Sequence, residues 1–202
     1  MDIIERKIKI LGVDPGSQRT GVAVLEFNLP KDGRFHRLKQ MKPLQAGVLS
    51  SQSTEFHQRI LDITVSFEKN LSETKPDFVV FEKVFLGKNP DSAFKLGHIR
   101  GALMVEALKQ KCAVFEMATR KVKKIVTGSG AADKTQVLLS LCQIFQISPQ
   151  SFQGLSEDAS DALALACAFV IDQLPSLEGL FDAQTKVQTK AQTKVVLSEE
   201  SR

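Results

Sequence analysis

The stretch from Ile10 to Phe27, ILGVDPGSQRTGVAVLEF, constrains the fold more than any other part of the chain. Its ends are runs of Ile, Leu, Val, Ala and Phe suited to a buried core, and Pro-Gly-Ser between them is turn chemistry. The pattern predicts two paired strands, over 7–14 and 20–27. Asp14 closes the first apolar run, just before the turn. A carboxylate there is costly unless it is paired, hydrogen-bonded or bound to a cation.

The remaining segments extend this sheet. LQAGVLS (44–50) is a third strand candidate, followed over 54–74 by Phe56, Ile60, Ile63, Phe67 and Leu71 at helical spacing. DFVVFEKVF (77–85) begins as a continuous apolar run, which suits a central strand. A helix over 90–110 places Ala93, Leu96, Leu103 and Ala107 on one side, and CAVFEM (112–117) is another strand. TRKVKKIV (119–126) predicts a short helix capped by Thr119. Two amphipathic helices follow over 133–147 and 156–173, marked by Val137, Leu141 and Ile144, then by Leu165 and Phe169. Antiparallel strands first, then strands alternating with helices, imply an α/β fold: a mixed five-stranded sheet with helices on both faces.

After Pro175 the character changes. AQTKVQTKAQTKVV (183–196) repeats Gln-Thr-Lys every four residues without bulky side chains. We expect one domain over 1–174 and a flexible basic tail over 175–202; the four-residue spacing also allows a weak amphipathic helix. The N-terminus does not read as a signal peptide, and the longest apolar run (162–171) is about half of what a membrane span needs. Three widely spaced cysteines fit neither a disulfide framework nor a zinc motif. These features predict a cytoplasmic protein with reduced thiols and no membrane partner. A net charge of +4 leans mildly toward nucleic acid.

Four acids sit where a core should be. Glu82 interrupts a strand, and Asp158 and Asp161, three apart in SEDASDALALA, share a helix face with Ala162 and Leu165. Each has a structural reading: Asp14 bonding the turn amides of residues 16–18, Glu82 pairing with a buried arginine, Asp158 and Asp161 favouring a helix N-terminus. Together they say more. Two unit charges about 4 Å apart repel by roughly 4 kcal/mol at an effective dielectric of 20, against a domain stability of about 5–15 kcal/mol. A convergent cluster must be protonated or hold cations. Carboxylates without His or Cys suit Mg²⁺ or Mn²⁺ rather than zinc. Two such ions make a phosphodiester-cutting arrangement, one preparing water and the other steadying the leaving oxygen.

Four blocks, GVDPGSQRTGVAV, FEKVFLGKNPDSAFKLGHIRG, RKVKKIVTGSGAADKTQV and SEDASDALALA, closely resemble the RuvC family of Holliday-junction resolvases. The resemblance runs from about residue 8 to 173. It implies a ribonuclease H-like fold and a Mg²⁺-dependent homodimer, with Mn²⁺ as a substitute ion, that cuts two opposed strands of a four-way DNA junction. It also implies a branch-migration helicase complex as partner. The family's four catalytic, metal-holding acids correspond to Asp14, Glu82, Asp158 and Asp161. TGVAV departs from the family's usual Thr-Gly-aromatic-Gly-Val and edges toward the related YqgF type, which lacks the EKVFLGKN block.

The DNA-holding residues come partly from charge and partly from the resemblance. RKVKK offers Arg120, Lys121, Lys123 and Lys124; such a run is either a solvated face or a surface for a polyanion. The resemblance singles out Lys123 and Lys134 as DNA contacts and Phe85 as a wedge near the junction centre, with Lys88 and Arg120 taken as further contacts. GSGAADKT imitates a phosphate-binding P-loop, but Asp133 stands where that motif needs glycine. Gly97 and Gly101 leave a small-residue groove on their helix, for tight packing on the sheet or for a dimer contact.

Overall fold

The computed structural model describes residues 4–30, 41–83 and 90–173. The expected tail and the residues Phe85 and Lys88 lie outside these. Five strands, β1 (Ile4–Asp14), β2 (Arg19–Pro30), β3 (Met41–Ser50), β4 (Phe78–Glu82) and β5 (Ala113–Met117), form one mixed sheet in the order β3-β2-β1-β4-β5. The helices are α1 (Phe56–Thr74), α2 (Pro90–Lys109), α3 (Thr119–Thr127), α4 (Lys134–Phe145) and α5 (Glu157–Gln173), with a short 3₁₀ turn at Pro149–Phe152. Among the described residues no helix is long and apolar enough to cross a membrane.

β1 is the axis of the sheet. It pairs antiparallel with β2 and parallel with β4, and Val13 lies opposite both Val22 and Phe81. Alternate residues of β1 therefore feed two cores. Ile8 and Ile10 pack with Leu25, Phe27, Phe78 and Val80 beneath α3, α4 and α5. Leu11 and Val13 pack with Val79 and Phe81 against Ile63, Phe67 and Leu71 of α1 and Ile99, Leu103 and Ala107 of α2.

Two local readings are corrected, and the dismissal of the P-loop look-alike holds. The fourth strand, expected over 77–85, spans Phe78–Glu82, and the Lys83 amide beyond it donates to the Met117 carbonyl at 2.8 Å; positions 84 and 85 are outside the described residues. Thr119 does not cap α3. The cap position is Ala118, which has no side-chain acceptor, and Thr119 is the first helical residue. The P-loop look-alike is a helix start. Asp133 accepts the Gln136 amide at 2.8 Å while Gln136 accepts the Asp133 amide at 2.9 Å, a reciprocal cap that uses the very residue a P-loop could not tolerate.

One packing contact positions everything else. A Cβ on Gly12 would lie 2.0 Å from the Ala162 carbonyl oxygen, and one on Gly21 would lie 2.0 Å from that of Asp158. α5 thus rests on the bare backbone of β1 and β2, with Ala159, Ala162 and Ala166 fully buried between. Gly21→Ala should push α5 away and lower stability by about 1–3 kcal/mol or more in urea unfolding. An unchanged midpoint would mean that the helix does not sit on this strand.

Candidate active site

Parallel pairing of β1 and β4 brings their carboxyl ends together, so Asp14 and Glu82 emerge side by side. α5, seated on Gly12 and Gly21, presents Asp161 from its second turn. Asp14, Glu82 and Asp161 line one pocket with Thr119, Lys123 and the apolar residues Val122, Val137 and Leu165. Asp158 stands at its edge, Oδ2 3.1 Å from Arg19 Nε. All four expected acids are therefore gathered at one end of the sheet.

The structural readings of these acids fare unevenly. The Gly16 amide faces the Thr20 hydroxyl at 3.5 Å, while Asp14 is hydrogen-bonded to Glu82. The arginine sought near Glu82 is Arg100, but it serves the backbone: Nε donates to the Glu82 carbonyl oxygen at 3.3 Å and the guanidinium pairs with Glu116. The Glu82 carboxylate instead accepts the Thr119 hydroxyl at 2.5 Å. Asp158 does lie in the first turn of α5 beside Glu157, as the dipole reading expects.

Crowding raises the Asp14 carboxyl to about 8 from an ordinary 3.8, with burial the main cause, Glu82 next, then Asp161 and Asp158. Asp161 is also raised, chiefly by burial, with Glu82 and Asp158 adding to it and Lys134 and Lys123 opposing. Two carboxyl groups share a hydrogen bond only when a proton lies between them.

The basic residues sort by position. Of the RKVKK run, Lys123 alone lines the acidic pocket. Arg120 and Lys124 are exposed, and Lys121 pairs with Asp172 at 2.7 Å. Lys134 reaches back to the site, its Nζ 2.5 Å from Glu157 and 3.9 Å from Asp161.

This donor set suits a hard divalent cation in kind and in charge: oxygen ligands only, no His or Cys in the pocket, and a carboxyl whose ionisation its neighbours oppose. Among the described residues no three such side chains already surround one point where an ion would sit. Asp158 would have to turn from Arg19 to join the others.

A family model, crossover junction endodeoxyribonuclease RuvC, matches residues 10–169. The chain belongs to the RuvC family. A family member from Bdellovibrio bacteriovorus is 42% identical over 165 residues, spanning 78% of this chain and 87% of that one. One from Mannheimia succiniciproducens is 40% identical over 159 residues, spanning 78% and 72%. The fold agrees with that of Thermus thermophilus RuvC solved with a Holliday junction substrate, with a TM-score of 0.71 at 24% identity over 83% of this chain and 95% of that chain. A yeast mitochondrial Holliday junction resolvase superposes with a TM-score of 0.60 at 12% identity, covering 86% and 83%. The RuvC match decides against the YqgF type. What sequence reasoning missed are Thr119 as the hydroxyl on Glu82, and Arg19 and Glu157 as partners of Asp158 and Lys134. Only the buried strand glycines left a signal that could have been read, since glycine inside a strand marks a close backbone approach.

The raised carboxyl has a thermal signature. Folded protein holds the Asp14 proton more tightly than the unfolded chain does, so the stability it confers is complete below about pH 4 and is lost as pH rises through about 8. In chelator, the melting temperature should fall from pH 5.5 to 8.5, and Asp14→Asn should flatten that fall. A wild-type melting temperature that holds level or rises over this window would contradict the shared proton.

Proposed function

We propose that this chain is a structure-selective endonuclease that resolves four-way DNA junctions by paired nicks, acting in cytoplasmic recombination and repair and leaving 5′-phosphate and 3′-hydroxyl ends. The observation that supports it most is the convergence of Asp14, Glu82 and Asp161 in one pocket, with Asp158 at the rim and Lys123 on the wall. Asp14, Glu82, Asp158 and Asp161 would hold two Mg²⁺, or Mn²⁺ in their place. The ions supply an activated water and a counter-charge for the leaving oxygen.

The rest falls to the chain itself. Asp14 and Glu82 are fixed at neighbouring strand ends, and the Thr119 hydroxyl orients Glu82. Val122, Val137 and Leu165 give the pocket an apolar floor that limits water. Lys123 and Lys134 bring positive charge to where a phosphodiester must approach four acids, and exposed Arg120 extends that charge outward. Phe85 and Lys88 keep the junction-contacting roles that the resemblance implies, and a branch-migration helicase keeps its place as partner.

Paired nicks need two sites, and a two-fold dimer supplies them. The face for it is the outer side of α1 and α2. Leu61 (55% exposed), Val65 (54%), Phe94 (67%), Val105 (54%) and Leu108 (60%) are apolar and open. On α2, Phe94, Gly97, Gly101, Val105 and Leu108 follow one stripe at helical spacing. A Cβ at Gly97 or Gly101 would meet nothing within 4 Å, so these glycines are not packed on the sheet but lie open for a second copy. Val105→Arg should halve the mass seen by light scattering and uncouple the two nicks; an unchanged mass would place the interface elsewhere.

Mapping of cuts on a mobile synthetic junction, by denaturing gel with Mg²⁺, tests the function. Wild type should nick opposed strands symmetrically. Asp14→Asn should abolish nicking and leave junction binding intact or tighter, while Lys123→Ala should weaken binding and lower its salt slope by about one. Binding without nicks by wild type at any Mg²⁺ or Mn²⁺ level would make the chain a recognition module instead.

A further inference from the structure

Beyond Arg19, on the side away from the acidic pocket, lies a second cleft of about 510 Å³. The β1–β2 turn, the end of β3 and the loop leading into α1 enclose it. Gln18, Arg19, Gln52, Ser53, Thr54 and Arg59 are among the residues lining it, Val48 is its one apolar wall, and no acid is among them. Guanidinium, hydroxyl and amide groups without a carboxylate make an anion receptor, and planar arginines suit phosphate oxygens in particular.

The cleft is built rather than accidental. Arg59 Nη1 donates to the carbonyls of Ser53 at 3.4 Å and Thr54 at 3.0 Å, and its guanidinium lies 5.7 Å from the centre of the Phe56 ring. Ser51 donates to Asp62 at 2.6 Å and accepts the Ser53 amide at 3.1 Å. Asp62, on the first turns of α1, is thereby engaged, and Gln58 also donates to it at 2.8 Å; Glu55, the exposed cap residue of α1, is in the same loop but is not among the lining residues. Arg59 Nε is buried with no hydrogen-bond partner. Arg19 joins the two sites, since it lines the cleft while its Nε meets Asp158 at 3.1 Å.

We infer that this cleft seats a backbone phosphodiester of the same DNA strand whose scissile bond lies over the acids. The inference rests on the nuclease reading of the acidic pocket. Its volume accommodates a sugar-phosphate unit, whereas a lone phosphate would leave most of it unfilled. A strand pinned on both sides of Arg19 meets the acids in one register, and positioning of that kind governs phosphodiester hydrolysis.

Gln52 is exposed, so its charge can be changed without disturbing the loop. Junction binding is measured by anisotropy across a salt series in Mg²⁺-free buffer, for Gln52→Glu and Gln52→Lys. The same two changes at exposed Gln110, beyond the far end of α2, serve as reference. We expect Gln52→Glu to weaken binding several-fold and lower the salt slope by about one, Gln52→Lys to do the reverse, and neither Gln110 change to move them. Melting temperatures of the Gln52 variants should match wild type; Gln110 donates to the Glu68 carbonyl and the Ser72 hydroxyl, so its variants are compared with wild type in binding alone. Gln52 variants that bind like wild type, or Gln110 variants that shift binding as much, overturn the cleft. Wild-type junction cutting is scored in parallel: cutting with no Gln52 effect removes the cleft alone, and a failure to cut removes the nuclease reading beneath it.

Discussion

α5 lies directly on the backbone of β1 and β2, and this contact sets where the chemistry can occur. Ordinary helix-on-sheet packing keeps the two apart by the depth of their side chains. Here Gly12 and Gly21 have none, and the facing surface of α5 is mostly alanine, so main chain meets main chain. The helix is brought low enough that its first two turns reach the level of the strand ends. Asp158 and Asp161 are carried with it, to meet Asp14 and Glu82, which parallel pairing has already placed together. Residues remote along the chain become one site through the loss of two side chains.

The site accumulates negative charge that the fold does not neutralise by itself. Lys123, Lys134 and Arg19 surround the acids and each engages some of them, yet Asp14 remains pushed up to about 8. Its neighbours make its ionisation unfavourable, and a bound cation would reverse that balance. Arg19 lines the second cleft while its guanidinium pairs with Asp158, so one side chain touches both places.

Most of this architecture is legible in the residues because periodicity reports burial. Continuous apolar runs at 10–13 and 78–81 mark strand segments buried on both faces, and they are so buried. Asp14, Glu82 and Asp161 are legible for the complementary reason: each breaks an apolar pattern, whereas Asp158 also suits the start of its helix. The misses share a cause too. Thr119 reads as a cap because Ser and Thr commonly begin helices, but its hydroxyl is drawn across the sheet to Glu82, a partner 37 residues away that no local rule could supply. The fourth strand ends early for a similar reason: hydrophobicity continues past Glu82, whereas the hydrogen-bonding partner, β5, stops at Met117. Arg19 and Glu157 are ordinary surface residues by composition, and only the tertiary fold brings Arg19 to Asp158 and Lys134 to Glu157.

If α5, seated on glycine, gathers four carboxylates from three separate elements for divalent cations, manganese should bind among them. Crystals soaked in Mn²⁺ and measured at the manganese absorption edge test it directly. Anomalous density between Asp14, Glu82 and Asp161, with Asp158 turned in from Arg19 to reach it, is the predicted result. Soaked crystals with no density there, or with manganese bound elsewhere while the four acids keep their present partners, would contradict it.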